Sequence, residues 1–170
     1  MRLFLAVEAQ VRLAQRGDPL AMDALLTELA PWVGRVCCAI ALDRGEDAMQ
    51  ETLITVLRNL PTLREPKALR AWVRRIAVRE SLRLVSDHRA VPVPDLPEPP
   101  ELPADDLDTA LDVRQTLERL SPAQRAVLVL RHLEDLSEEE TAQLLGVPEG
   151  TVKSRLHRAQ RSFRERWEEG

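Results

Sequence analysis

Aromatic residues are scarce in this chain of 170 residues, which has three tryptophans, two phenylalanines and no tyrosine. Glycine is also rare, with six residues. No stretch shows the strict alternation of apolar and polar residues that is typical of a β-strand, whereas helical periodicity recurs along most of the chain. We therefore expect an all-α fold made of two small helical domains.

Cysteine and histidine are too few and too scattered to build a disulfide framework or a metal site. Cys37 and Cys38 are neighbours, and a bridge between adjacent residues would be strained, so we expect two buried thiols. The three histidines show no ligand spacing with either cysteine, and no metal or cofactor is expected. The sequence also lacks a nucleophile–base pair and a glycine-rich phosphate loop, so we assign no catalytic residue and do not expect an enzyme.

Long apolar runs are missing as well. The opening Leu3–Val7 is too short for a secretory signal, and we expect no run that is long enough to cross a membrane. With 44% hydrophobic and 31% charged residues, the composition is that of a globular protein. The sequence therefore predicts a cytoplasmic protein without membrane insertion.

The formal net charge of −4 is unevenly distributed. Residues 90–113 hold seven acidic residues and no basic one, and residues 90–106 contain six of the twelve prolines. In the rest of the chain 24 basic residues meet 21 acidic ones. Because proline at this density prevents both helix and strand, we expect a flexible acidic linker over 89–107, between domains at 1–88 and 108–170.

The C-terminal domain contains two strong signals for helix starts. Ser121 with Gln124 matches a capping box, and Ser137 with Glu140 matches a second one. Gly146 ends the second of these helices, and a short bridge leads to a third. Two helices joined by a tight glycine turn predict a helix-turn-helix.

The third helix is basic, with six Lys or Arg residues against one Glu in Thr151–Arg166. At about 100° per residue its apolar side chains gather on one face. These are Val152, Leu156, Ala159 and Phe163. The opposite face and its flanks are predicted to contact DNA bases and phosphates, and an ordinary solvated basic face is the alternative. The predicted contacts are Thr151, Lys153, Ser154, Arg155, His157, Arg158 and Arg161.

The N-terminal domain carries its own basic segment, residues 64–89, with eight basic residues and three acidic ones. Arg75, Arg79 and Arg83 recur every fourth residue and predict a basic stripe along a helix. The buried side is assigned to Val73, Ile76, Ala77 and Leu84. Trp72 lies beside the stripe, where its ring either packs in the core or stacks on a base, and packing is the commoner role.

The preceding helix, over residues 45–60, is predicted to be amphipathic. Its polar flank consists of Asp47, Gln50, Glu51 and Arg58. Its inner side is predicted to contain Met49, Leu53, Val56, Leu57 and Leu60. A solvated flank and a partner surface both fit this pattern.

Nearly the whole chain resembles the bacterial extracytoplasmic-function sigma factors, the small promoter-recognition subunits of RNA polymerase. The segments LSPAQRAVLVLRHLEDLS and LLGVPEGTVKSRLHRAQ are similar to the family's region 4. The segment EDAMQETLITVLRNL is similar to the polymerase-binding helix of region 2, and LRAWVRRIA is similar to its promoter-melting helix. This chain differs in having leucines where region 2 commonly carries aromatics, and Arg79 where the family commonly has Asn.

The resemblance implies an alternative sigma factor that directs core RNA polymerase to specific promoters. Region 4 would read the minus-35 element. Region 2 would bind the clamp helices of the largest polymerase subunit through Asp47, Gln50, Glu51 and Arg58, and would open the minus-10 element. The implied minus-10 contacts are Lys67, Arg70, Trp72, Arg74, Arg75, Arg79 and Arg83. Whether an anti-sigma factor restrains the protein stays open.

Two other functions remain open at this point. One is a free-standing helix-turn-helix regulator, although residues 1–88 show none of the strands of the receiver or ligand domain that such a protein needs. The other is an interaction protein that binds polymerase or an anti-sigma factor without melting DNA. The scarcity of aromatic rings motivates it, because unpaired bases are usually held by stacking worth roughly 1 to 3 kcal/mol each.

Overall fold

The computed structural model describes residues 2–87 and 113–168. Within these two ranges every regular element is a helix, which confirms the expected all-α fold. The chain divides into two compact units, Met1–Arg83 and Leu84–Gly170. The acidic linker predicted at 89–107 lies outside the described residues, so the domain bounds drawn around it stay a prediction.

Four α-helices lie in the first described range. They are α1 (Arg2–Gln15), α2 (Pro19–Ala41), α3 (Gly45–Asn59) and α4 (Leu69–Asp87). Short 3₁₀ turns separate the last three of them, at Leu42–Arg44, Leu60–Thr62 and Pro66–Ala68. The start of α2 is fixed by Asp18, whose carboxylate accepts hydrogen bonds from the backbone N–H groups of Leu20 and Ala21 at 3.0 and 3.1 Å.

Helix α2 is the central helix of the first unit, because it contacts both α1 and α3 and buries Val33 and Ile40 completely. Its Cys37 lies where α2, α3 and α4 meet. The Sγ atom is 3.9 Å from Thr52 Oγ1 and 4.0 Å from the carbonyl oxygen of Ala77. Burial raises the pKa of the Cys37 thiol, so this thiol is protonated and unreactive at neutral pH.

Two expectations about α2 were wrong. The stretch Pro19–Thr62 contains a window that is long and apolar enough, by length and composition alone, to cross a membrane. A helix at the centre of a bundle passes the same test because its buried face is apolar, and here the stretch is divided into α2, α3 and 3₁₀ turns.

Cys38 is exposed rather than buried, because successive helical residues point about 100° apart and Cys37 takes the inward position.

The second described range contains α5 (residues 113–118), α6 (Pro122–Leu128), α7 (Glu138–Leu145) and α8 (Glu149–Glu168). Helix α6 continues into a π-helical turn at Val129–Leu133. Arg125 of α6 is buried and donates hydrogen bonds to the carbonyl oxygens of Leu117 and Leu120 at 3.2 and 2.7 Å. These bonds hold the chain that follows α5 against α6.

Both predicted capping boxes are confirmed. The Ser121 hydroxyl accepts a hydrogen bond from the Gln124 N–H at 3.3 Å, and the Gln124 side chain accepts one from the Ser121 N–H at 2.8 Å. The same exchange joins Ser137 and Glu140 at 3.0 and 2.7 Å. Helix α7 ends at Gly146, whose φ of 65° is left-handed and therefore favours glycine. Helices α7 and α8 thus form the predicted helix-turn-helix.

A close approach of α2 and α3 depends on Gly45, the first residue of α3. A Cβ atom added to Gly45 would lie 2.5 Å from the Cα atom of Cys38, which no rotamer change can relieve. The backbone of Gly45 is helical, with φ −62° and ψ −42°. Its conformation therefore suits alanine, and only the neighbouring helix excludes a side chain.

We expect Gly45→Ala to lower the free energy of unfolding by about 1 to 3 kcal/mol, because the added methyl group forces the two helices apart. Urea denaturation measures this change. Gly150→Ala on α8 is the control, since no atom lies within 4 Å of the added Cβ, and it should leave stability unchanged or raise it. Equal stability of Gly45→Ala and the wild type would show that α2 and α3 do not approach this closely.

Candidate nucleic-acid interface

Helix α8 is held by its apolar face in a small core cluster. The buried members are Val127 of α6, Ala142 of α7 and Val152 of α8, and Val127 and Val152 are fully buried. Ala159, two turns further along α8, is also fully buried. Leu156 is only partly buried against the cluster, so its predicted core role is smaller than expected. The side chain of Phe163 lies outside the described residues.

The opposite face of α8 is exposed to solvent where the sequence predicted DNA contacts. Exposed side chains are Lys153, His157, Arg158 and Arg161, and half-buried ones are Thr151, Ser154 and Arg155. Of the half-buried residues, Thr151 and Arg155 flank the core face, as expected of groups that reach phosphates rather than base edges. The Ser154 hydroxyl donates a hydrogen bond to the carbonyl oxygen of Thr151 at 3.0 Å, and its oxygen can still accept one from a base.

Two of the predicted DNA contacts are engaged in ion pairs. Lys153 Nζ lies 3.5 Å from Glu138 Oε2 at the start of α7. Arg161 Nε lies 2.7 Å from Glu165 Oε1 one turn along α8, and this hydrogen bond raises the pKa of Arg161. The Lys153 side chain remains 65% exposed. Exposed pairs of this kind contribute little to stability because water screens them, so an approaching phosphate can replace the carboxylate.

The polar flank of α3 is exposed as predicted, at Asp47, Gln50, Glu51 and Arg58. Asp47 Oδ2 forms an ion pair with Arg44 Nη2 at 2.9 Å. The prediction of the inner side of α3 is partly wrong, because Leu57 is 47% exposed.

The helix is rotated relative to the predicted arrangement. Ala48, Thr52 and Val56 are the fully buried residues of α3, which contacts α2. The Thr52 hydroxyl can be buried because it donates a hydrogen bond to the Ala48 carbonyl oxygen at 2.6 Å. This packing line leaves Ile54 and Leu57 outside, at 37% and 47% exposure. No pattern in the sequence indicates these two apolar residues on the polar flank.

A shallow groove of ≈ 380 Å³ lies beside Leu57. Its remaining lining comes from the end of α1 and the start of α2, including Met22 and Leu26, with Asp18 and Asp23 among the polar residues. The exposed apolar surface of α3 therefore continues into the groove. Apolar surface surrounded by polar groups is typical of protein–protein contacts.

The basic stripe on α4 contains a carboxylate whose burial was not predicted from the sequence. Arg75, Arg79 and Arg83 are exposed as predicted, but Glu80 between them is buried. Glu80 accepts hydrogen bonds from Arg79 Nε and Nη2 at 3.1 and 3.0 Å and from Arg83 Nε at 2.8 Å. The stripe is therefore less positive than its arginines alone suggest.

The remaining predicted minus-10 residues lie at the start of α4 or just before it. Lys67 is exposed on the 3₁₀ turn that precedes α4, and Trp72 and Arg74 are half-buried. The guanidinium carbon of Arg70 lies 4.7 Å from the centroid of the Trp32 ring on α2, a cation–π contact. Sequence reasoning missed Trp32, because these two residues are far apart in the chain.

Family models match both units of the chain. The family model "Sigma-70 region 2" matches residues 25–91, and "Sigma-70, region 4" matches residues 110–161. The chain is 35% identical over 148 residues to the ECF RNA polymerase sigma factor SigM of Mycobacterium tuberculosis, across 84% of this chain and 75% of that protein. The chain belongs to the extracytoplasmic-function sigma factors. It is an alternative sigma factor that acts in transcription initiation, and the predicted family is confirmed.

Other relatives agree with this assignment. The RNA polymerase sigma-E factor of Streptomyces coelicolor is 37% identical over 126 residues, across 71% of this chain and 70% of that protein. Among solved structures, CnrH in complex with the cytosolic domain of CnrY has a TM-score of 0.63 at 23% identity, covering 92% of this chain and 94% of that one. The sigma factor RpoE of Bartonella quintana, in complex with the anti-sigma factor NepR, has a TM-score of 0.60 at 24% identity, with coverages of 86% and 96%. The two structural likenesses show the fold.

Proposed function

We propose that this sigma factor directs core RNA polymerase to promoters by using its two helical domains for different tasks. A region 2 domain over residues 1–88 binds polymerase and opens the minus-10 element, and a region 4 domain over 108–170 reads the minus-35 element. The observation that carries this proposal is the exposed basic face of α8 in a capped helix-turn-helix. The protein works in the cytoplasm by binding alone, without a catalytic step of its own.

The face of α8 has the chemistry that minus-35 reading needs. The major groove of B-DNA is about 12 Å wide and admits one α-helix. Arg158 and Lys153 can donate hydrogen bonds to guanine O6 and N7, and His157 and Ser154 can pair with further base edges. Thr151 and Arg155, which are half-buried at the flanks, are assigned to the phosphate backbone.

The exposed face of α3 suits a protein partner rather than DNA. It presents two acidic residues, Asp47 and Glu51, which would repel phosphate, and two exposed apolar residues, Ile54 and Leu57. A mixture of apolar side chains and polar groups is common at protein–protein interfaces. We assign this face, with Gln50 and Arg58, to the clamp helices of the largest polymerase subunit.

The surfaces of α3 and α4 favour a sigma factor over the two alternatives that the sequence left open. A free-standing helix-turn-helix regulator leaves the exposed face of α3 unexplained, and an interaction protein that does not melt DNA leaves the cations of α4 unexplained. An anti-sigma factor is a further proposed partner, since RpoE, a sigma factor of the same fold, was crystallised with NepR.

Arg158→Ala tests base reading by α8. We expect a loss of about 1 to 3 kcal/mol in binding to a preferred minus-35 duplex if Arg158 pairs with guanine, with a smaller loss on a scrambled duplex. Because Arg158 is exposed, thermal stability should not change. Binding of the full chain to both duplexes at one fixed salt concentration measures the effect.

Arg164→Ala is the matched control for Arg158→Ala. Arg164 is an exposed arginine of the same helix, outside the predicted reading face, so its removal should affect both duplexes equally. Equal losses on both duplexes for Arg158→Ala would mean that it contacts phosphate only, and no loss on either would place the reading face elsewhere.

Substituting Gln50 and Glu51 together with alanine tests the polymerase-binding face. Both side chains are exposed, so we expect the fold to be unaffected and the affinity for core polymerase to fall several-fold, because both side chains would no longer contact the partner. Equilibrium titration of labelled protein with core enzyme measures this affinity. Glu28→Ala, which removes an exposed carboxylate from α2, should bind normally. Unchanged affinity of the double variant would exclude this face as the polymerase contact.

A further inference from the structure

Glu80 differs from the arginines around it because only 7% of its surface is exposed. Its Oε1 accepts two hydrogen bonds from Arg79, and its Oε2 accepts one from Arg83 Nε. One carboxylate therefore restrains two guanidinium groups, each through its Nε atom. All three residues lie within five consecutive positions of α4, little more than one turn.

The paired arginines remain accessible to a ligand. The side chains of Arg79 and Arg83 are 63% and 47% exposed, whereas that of Glu80 is 10% exposed. A guanidinium has five N–H donors, and Glu80 accepts from two of those of Arg79. The other donors of Arg79 can therefore bind a phosphate oxygen without breaking the contact with Glu80.

The charge of Glu80 persists at neutral pH. Burial by itself raises the pKa of this carboxyl, but the hydrogen bonds and charges of Arg83 and Arg79 outweigh burial and lower the pKa overall. A buried carboxylate is tolerated only when such partners compensate it. Glu80 and the two arginines therefore form a fixed group with a net charge of about +1 at neutral pH.

We propose that Glu80 is a positioning residue that holds Arg79 and Arg83 as a rigid pair for the phosphate backbone of the minus-10 element. The inference rests on the proposed function of region 2 and assigns Glu80 no contact with DNA. An arginine side chain normally loses rotamer freedom when it binds a phosphate. Because Glu80 already restricts these two arginines, less freedom is lost on binding and the spacing of the two guanidinium groups is defined in advance.

Glu80→Gln in the reconstituted holoenzyme distinguishes a positioning role of Glu80 from a simple effect of its negative charge. The substitution keeps the shape of the side chain and makes the domain more positive by one charge. If Glu80 only reduces the positive charge of α4, promoter affinity should rise and its salt dependence should steepen. If Glu80 positions the arginines, affinity should fall about tenfold, which corresponds to the removal of one charge-assisted hydrogen bond, and the salt dependence should become shallower.

The measurement is equilibrium binding of holoenzyme to a forked promoter DNA with a single-stranded minus-10 element, at several salt concentrations. Removal of one arginine–phosphate ion pair should reduce the slope of log affinity against log salt by roughly 0.7 to 0.9. Glu65→Gln is the matched control, because Glu65 is an exposed glutamate of the same unit and the change in charge is identical. It should leave affinity unchanged or raise it.

Arg79→Lys is a second variant that keeps the test decisive if Glu80→Gln fails to fold. Arg79 is exposed, and lysine keeps its charge but lacks the fork that donates two hydrogen bonds to Glu80, so affinity should fall here as well, with thermal stability little changed. A steeper salt slope for Glu80→Gln, or wild-type affinity for both variants, would overturn the positioning role. A wild-type holoenzyme that does not discriminate matched from scrambled minus-10 DNA would overturn the proposed function of region 2, and the inference with it.

Discussion

The burial of Val152 against α6 and α7 is the contact on which the DNA-binding unit depends. Helix α8 has basic residues on most of its circumference, so its charges alone leave its rotation undetermined. Once Val152 and Ala159 point inward, Lys153, His157 and Arg158 must point outward, because the period of the helix links their directions. The left-handed turn at Gly146 brings α8 to this position after α7.

Several cations that face outward are paired with carboxylates in both units, but the pairs differ in burial. Lys153 with Glu138 and Arg161 with Glu165 are exposed pairs, which exchange readily with phosphate because water screens them. Glu80 is buried beneath its two arginines, so we expect its contacts to persist when the arginines bind another anion. Region 4 would therefore release its carboxylates on DNA, whereas region 2 would keep Glu80 in place.

Local features of the fold could be predicted from the sequence because their causes are local. A capping box joins residues three positions apart, and the left-handed end of α7 depends only on the backbone of Gly146. Ser121, Ser137 and Gly146 therefore indicated the correct helix limits. The apolar face of α8 was also predictable, because Val152 and Ala159 repeat with the period of a helix.

Features that depend on a second helix could not be predicted in this way. The exposure of Leu57 follows from the side of α3 that contacts α2, and the contact of Arg70 with Trp32 joins α4 to α2. Glu80 stands among arginines in the sequence, where no pattern marks it as buried. Its burial depends on the helices packed around α4, and a charged residue is seldom buried unless it is paired.

Transcription by core RNA polymerase reconstituted with this protein tests the central claim most directly. The template is a pool of promoter fragments with randomised minus-35 and minus-10 elements, and the products are sequenced. Discrete transcripts from templates enriched at both elements, absent with core enzyme alone, are the predicted result. Binding of the protein to core polymerase without any template-selective transcripts would contradict its function as a promoter-recognition subunit.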